Sequence, residues 1–133
     1  METETIPKLY HREVAWDNYF DYCCRQLINR RDIVLSEHAK ENFETRDIDK
    51  GYIFTLLKYN RKGEIFEVER VGRYISKFVI RLPYDLKKDV CIVLRDVYDE
   101  EAKAPYLLLV TTWLNSRDDN HETLDADKYE KEI

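Results

Sequence analysis

The sequence contains few of the residues that form tight turns or cross-link a chain. Its 133 residues include three glycines, three prolines and three cysteines. A phosphate-binding P-loop and a GxGxxG dinucleotide motif both need clustered glycines, and neither is present. The GxSxG and HExxH motifs are also missing. The sequence therefore gives no indication of a P-loop enzyme, a dinucleotide enzyme or a nucleophile-elbow hydrolase, and no nucleotide cofactor is expected.

The cysteines have no metal-binding pattern. Cys23 and Cys24 are adjacent, and Cys91 stands alone, so no CxxC pair and no Cys/His zinc spacing exists. We predict three reduced, partly buried thiols, with a redox pair as the alternative. No metal and no other cofactor is expected.

Long apolar runs are missing as well. The longest uncharged apolar run, Tyr106–Leu114, is far shorter than the ~20 residues that a membrane-spanning helix needs. The segment Met1–Lys8 contains two acidic residues and no apolar core, which is not typical of a secretory signal. We therefore expect a cytoplasmic protein with no membrane partner.

The net charge of −5 is the reverse of what nucleic-acid binding proteins usually show, because phosphate contacts favour a basic excess. The charge is uneven along the chain, however. Residues 36–82 carry 10 basic and 8 acidic side chains, whereas residues 116–133 carry three basic and seven acidic ones. We expect a modest basic face in the middle segment. The acidic tail either folds back over that face or extends into solvent.

Apolar periodicity predicts helices first and strands later. An aromatic share of 13% argues against disorder, and the length fits one domain. Helical spacing predicts three helices, with Ser36 and Asp49 as the N-caps of the second and third. Alternation predicts the first two of four strands, β-branched residues predict the third, and a strongly apolar run predicts the fourth. The helices are expected over Arg12–Arg31, Glu37–Thr45 and Lys50–Tyr59, and the strands over Glu64–Val71, Arg73–Leu82, Val90–Val97 and Tyr106–Leu114.

Short connections between the four strands favour antiparallel pairing. The predicted fold is therefore α+β, with N-terminal helices packed on one face of a four-stranded antiparallel twisted sheet. We expect one domain, in which a helical extension (residues 1–35) precedes the α+β core (36–115) and the acidic tail (116–133). Residues Met1–Tyr10 are expected to be irregular, and Ile33–Leu35 is either a brief strand or a docking linker.

Polar residues on the second helix form the best local candidate site. Helical spacing places His38, Asn42 and Thr45 along one edge, with Arg46 one step further around. Histidine side chains move protons at neutral pH, and arginine holds phosphate through paired hydrogen bonds. The alternative is a capped amphipathic helix that faces solvent.

The strands add further candidates. Arg73, Lys77 and Arg81 share one strand face, which is either a phosphate-binding strip or a solvated face balanced by Glu67 and Glu69. Thr111 and Thr112 place one hydroxyl on each side of the sheet. Either hydroxyl belongs to a catalytic cleft or satisfies a neighbouring strand.

Several of these phrases resemble the DUF4258 family. Val34-Leu35-Ser36-Glu37-His38-Ala39-Lys40 followed by Arg46-Asp47-Ile48 is similar to its S-x-H-A … R-x-I opening. Gly72-Arg73-Tyr74 and Val110-Thr111-Thr112-Trp113 are similar to two of its strand phrases. The resemblance covers about residues 34–113.

That family is grouped with the RelE-like or BECR-fold ribonuclease toxins. The resemblance implies a metal-independent endoribonuclease, in which an activated 2′-hydroxyl attacks the neighbouring phosphate. It implies that His38 is the general acid or base, that Arg46, Arg73 and Arg81 are phosphate ligands, and that Thr111 or Thr112 is a polar cleft residue. The implied partners are RNA or an antitoxin-like inhibitor protein. Asn42 departs from the family, which often has a basic residue there. The alternative is a relative that has lost the chemistry and acts as a non-enzymatic protein-binding module.

Overall fold

A mixed sheet forms the centre of the computed structural model, which describes residues 8–11, 19–59, 63–72 and 74–116. Its strands are β1 (Lys8–His11), β2 (Ile33–Leu35), β3 (Glu64–Val71), β4 (Tyr74–Pro83), β5 (Lys88–Asp99) and β6 (Ala104–Ser116). They form one six-stranded sheet in the order β1-β3-β4-β5-β6-β2. Strands β3 to β6 make the predicted antiparallel meander, and the α+β class is confirmed.

The sheet has two more strands than predicted, one at each edge. β1 pairs antiparallel with β3, and β2 pairs parallel with β6. The prediction of four antiparallel strands was therefore wrong in number and in the direction of one pair. Residues 1–35 supply both edge strands instead of a purely helical extension. The brief strand considered for Ile33–Leu35 is confirmed, whereas the irregular conformation expected for Met1–Tyr10 is wrong from Lys8 onwards. A run of four residues is too short for alternation to reveal, and β3 provides the pairing of β1.

Three helices connect these strands: α1 (Tyr22–Ile28, a π-helix), α2 (Glu37–Thr45) and α3 (Lys50–Lys58). Both predicted N-caps are confirmed. The Ser36 hydroxyl accepts a hydrogen bond from the Ala39 amide, and the Asp49 carboxylate accepts one from the Tyr52 amide, each at 2.9 Å. The predicted start of the first helix, Arg12–Asn18, lies outside the described residues. None of the helices in the described ranges has the length and apolar character needed to cross a membrane.

The helices pack on one face of the sheet. The main core joins helix residues such as Leu27, Phe43 and Leu57 to alternate strand residues such as Ile80 and Ile92. A separate apolar cluster on the sheet contains no residue from the described helices; it consists of Phe66, Val79, Cys91, Val93 and Trp113. The strands therefore bury side chains on both faces, while the helices cover only one.

All three cysteines are free thiols, as predicted, and all are buried. Burial raises the pKa of the Cys24 thiol to about 12, with a smaller contribution from the nearby Asp21 carboxylate. Burial raises the pKa of Cys23 still further, assisted by its neighbour Cys24. Both side chains are therefore neutral packing groups of α1.

We expect these buried thiols to be inert in the folded protein and to make its stability fall at alkaline pH. The unfolded chain releases thiol protons above the ordinary pKa of 9.0, whereas the fold retains them up to about 12 for Cys24. Stability is therefore fully present below pH 9.0 and decreases as the pH rises towards 12. Ellman's reagent near pH ~8 should react only after denaturant is added. Guanidinium titrations of wild type and Cys24→Ala should show a smaller alkaline loss in the variant. Rapid labelling of native Cys24 would contradict the prediction.

Candidate functional site

Helix α2 lies along the edge of β6, beyond the point where β2 stops. β2 pairs with Leu107–Leu109 of β6. Immediately afterwards, the Ser36 amide donates to the Leu109 carbonyl at 3.1 Å, and the Ser36 hydroxyl donates to the Val110 carbonyl at 2.8 Å. The N-cap residue therefore joins the helix to the strand edge.

Two further α2 side chains continue this contact. Asn42 is 3% exposed, and its Oδ1 accepts hydrogen bonds from the Thr111 hydroxyl at 2.7 Å and the Thr112 amide at 3.1 Å. Arg46, the C-cap residue, donates from Nη1 to the Thr112 carbonyl at 2.9 Å. Since backbone groups at a strand edge need partners, these side chains supply bonds that another strand would otherwise make. Asn42, Arg46 and Thr111 thus meet at one place, the α2–β6 junction.

A β-bulge interrupts β6 next to Thr111. Thr111 pairs with Val93 and Leu109 pairs with Leu94, so Val110 is the extra residue of β6. Both threonines are fully buried. The Thr112 hydroxyl donates to the Cys91 carbonyl at 3.0 Å, which agrees with the alternative that a threonine satisfies the neighbouring strand.

His38 lies on the solvent-exposed side of α2. It precedes Arg46 by eight residues, which corresponds to about 12 Å along the helix axis. Thr45 is also exposed, and its hydroxyl donates back to the Glu41 carbonyl at 2.9 Å. The edge predicted from helical spacing is therefore divided, with Asn42 buried against β6 and His38 accessible to solvent.

Arg81 lies on the other face of the sheet. Its neighbours Ile80 and Leu82 belong to the helix-side core, so alternation along β4 directs Arg81 away from α2. Its Nε pairs with Asp89 Oδ2 at 2.8 Å, and its Nη2 donates to the Ser116 carbonyl at 3.1 Å. Its guanidinium also lies 5.2 Å from the centre of the Phe66 ring. The sheet thus separates Arg81 from His38, so the structure does not bring these two predicted site residues together.

The predicted basic strip is buried and paired where the structure describes it. Lys77 is 6% exposed and lies 3.7 Å from the Glu69 carboxylate. Glu67 is also buried. The predicted pairing with a carboxylate is confirmed for Lys77, whose partner is Glu69. The prediction that this face is solvated is wrong for Lys77, which is buried. Arg73, the third member of the strip, lies outside the described residues, as do Arg117–Ile133 of the acidic tail.

The structural role of Asn42 was missed by sequence reasoning. Asparagine competes with the backbone for hydrogen bonds and is uncommon inside helices, so its position in the middle of α2 was the available signal. In the described ranges, no three His, Cys, Asp or Glu side chains are grouped so that they could hold a metal ion. The α2–β6 junction offers a guanidinium, an amide and hydroxyls, and the exposed side of α2 adds the imidazole of His38.

Comparisons with known proteins give no relative. No protein-family model matches the chain. Searches of curated proteins and of solved structures likewise return no significant match. The resemblance to the ribonuclease toxins therefore stays a prediction.

Proposed function

We propose that this protein is a metal-independent, RelE-like endoribonuclease and that its site is the α2–β6 junction. One observation carries the proposal: the helix that exposes His38 also fixes Arg46 against β6, beside Thr111. A proton carrier and a phosphate-binding cation are two groups that promote RNA cleavage without a metal, and α2 carries both.

His38 acts on the ribose in the proposed reaction. Its neutral imidazole takes the proton of the 2′-hydroxyl, and the 2′-oxygen forms a bond to phosphorus while the bond from phosphorus to the 5′-oxygen breaks. The departing 5′-oxygen takes a proton from solvent. The products are a 2′,3′-cyclic phosphate and a 5′-hydroxyl, and His38 then returns its proton to solvent.

Arg46 binds a backbone phosphate next to the one at which the RNA is cleaved, since Arg46 lies about 12 Å from His38 along the helix axis. A guanidinium keeps its charge at neutral pH and binds phosphate through its N–H donors, and Arg46 is fixed at β6 by the bond from its Nη1 to the Thr112 carbonyl. The hydrogen bonds of Asn42 to Thr111 and Thr112 join α2 to β6, and they fix the strand carbonyl to which Arg46 donates. Asn42 and Thr111 are positioning residues in this proposal, and Arg81 is a structural residue. Arg73 remains a proposed phosphate ligand.

The proposal is tested by incubating purified protein with single-stranded RNA in the presence of EDTA. We expect fragments that carry 2′,3′-cyclic phosphate and 5′-hydroxyl ends, because no metal takes part in the proposed reaction. Intact RNA at high protein concentration would overturn the proposal. Cleavage that EDTA abolishes would overturn the metal-independent mechanism.

A protein-binding module is the second candidate, and the exposed tyrosines of α1 and α3 favour it. Tyr22, Tyr52 and Tyr59 are 43%, 42% and 71% exposed. Tyrosine is enriched at protein interfaces. A stable complex with a protein partner, combined with intact RNA in the cleavage assay, would favour this function over ribonuclease activity.

A further inference from the structure

Two cavities meet at the C-terminal ends of α1 and α3. The larger, of about 1050 Å³, lies between these helices and the end of β4, and the smaller, of about 730 Å³, extends to Ile33 in β2. Asn29, Lys58 and Tyr59 line both cavities. We call the two cavities together the Tyr59 groove.

Aromatic rings and apolar side chains form its walls. Tyr59 is 71% exposed and Tyr52 is 42% exposed, and Phe20 is half-buried. Leu56 and the buried Leu82 complete the apolar part of the larger cavity. Within the described part of the chain, no ring contact and no side-chain hydrogen bond engages Tyr59. Its ring is therefore available to stack with a planar ligand.

The polar groups of the larger cavity are mainly donors. Arg25 and Lys58 line it together with one acid, Asp21, so this lining is positive although the chain carries −5. Arg25 lies 3.9 Å from Asp21, and both side chains are largely exposed, so the pair is weak. The Asn29 amide adds one donor group and one acceptor.

We infer that the Tyr59 groove binds an unpaired nucleotide of single-stranded RNA. The Tyr59 ring stacks on the base, the Asn29 amide hydrogen-bonds to the base edge, and Lys58 and Arg25 hold the adjacent phosphate. Base stacking on an exposed aromatic ring, combined with nearby cations, is the usual basis of single-strand binding. Cys24, in the wall of the larger cavity, is a buried neutral thiol, so the groove binds its ligand without covalent chemistry.

The position of the groove relates it to the proposed site, and the inference rests on the proposed function. The smaller cavity reaches Ile33, and β2 continues through Ser36 into α2, which carries His38. A strand of RNA seated at Tyr59 would therefore run towards α2. The groove would hold another nucleotide of the strand that is cleaved at α2.

The test measures binding separately from cleavage. A fluorescent 2′-O-methyl oligoribonucleotide lacks the attacking hydroxyl, so its anisotropy reports affinity alone. We expect Tyr59→Ala to bind about tenfold more weakly, within the range for the loss of one stacked base. Lys58→Ala should also weaken binding and should reduce its salt dependence. Tyr98→Ala is the matched control, because Tyr98 is 55% exposed and lies outside the groove.

The outcomes separate this inference from the proposed function. If wild type cleaves RNA while Tyr59→Ala binds the oligonucleotide as tightly as wild type, the groove inference fails alone. If Tyr59→Ala weakens binding but wild type leaves RNA intact, the groove stands and the ribonuclease proposal fails. Equal losses in Tyr59→Ala and Tyr98→Ala would overturn the site assignment. Free nucleoside monophosphates should compete weakly, and tighter binding of monophosphate than of the oligonucleotide would overturn RNA as the ligand.

Discussion

The His38→Ala protein is expected to cleave RNA about 10²–10⁴-fold more slowly than wild type while it folds normally. That range is the usual contribution of a positioned acid–base group. His38 is exposed on α2 and takes no part in the apolar core, so its removal should leave the helix packing intact. Affinity for 2′-O-methyl RNA should also change little, because the imidazole acts on the proton of the 2′-hydroxyl that this RNA lacks.

Single-turnover cleavage kinetics would measure the effect, and thermal unfolding would check the fold. Lys40→Ala is the matched control, since Lys40 is an exposed residue of the same helix that pairs with Glu37 at 3.0 Å. It should cleave at nearly the wild-type rate. A His38→Ala rate within twofold of wild type would remove His38 from the mechanism. An equal loss in Lys40→Ala would attribute the effect to the charge of the helix surface.

Features set by local hydrogen bonds and periodicity could be predicted from the sequence. Ser36 and Asp49 are N-caps because their side chains accept from amides three residues later, a contact that depends only on nearby residues. Each of the four long strands buries one set of side chains against the helices, so its apolar residues mark it as a strand. Apolar spacing and local caps likewise define α2 and α3, whose ends lie within one residue of the predicted bounds.

Features set by distant partners were missed or left open. β1 was not predicted and β2 was one of two alternatives, because both strands exist through pairing with β3 and β6, far away in the chain. The bulge at Val110 shifts the β6 side chains that follow it relative to simple alternation, and the contact between Thr111 and Asn42 joins two residues that are far apart in the chain. Helical spacing alone placed His38 and Asn42 on one edge, whereas the position of β6 decides which of them is buried.

The burial of Arg81 is also set by distant partners, and of these features it has the largest expected effect on the free energy of unfolding. The sequence offered its positive charge as a phosphate ligand, but its side chain is 6% exposed and that of its partner Asp89 is 14% exposed. A buried guanidinium without its carboxylate is costly, because the loss of one partner from a buried pair typically costs about 3–5 kcal/mol. The Ser116 carbonyl and the Phe66 ring would still contact Arg81 after Asp89 is removed.

We therefore expect Asp89→Ala to lower the free energy of unfolding by about 3 kcal/mol. Guanidinium denaturation would measure it, with Glu37→Ala as the matched control, since the exposed Glu37–Lys40 pair should contribute only about 0–1 kcal/mol. The double variant Arg81→Met/Asp89→Leu should recover most of the loss, because apolar side chains of similar size replace both charges. It should also cleave RNA like wild type if Arg81 is purely structural. A stable double variant that no longer cleaves RNA would return Arg81 to the catalytic site. An Asp89→Ala protein as stable as wild type would show that the carboxylate does not stabilise the buried guanidinium.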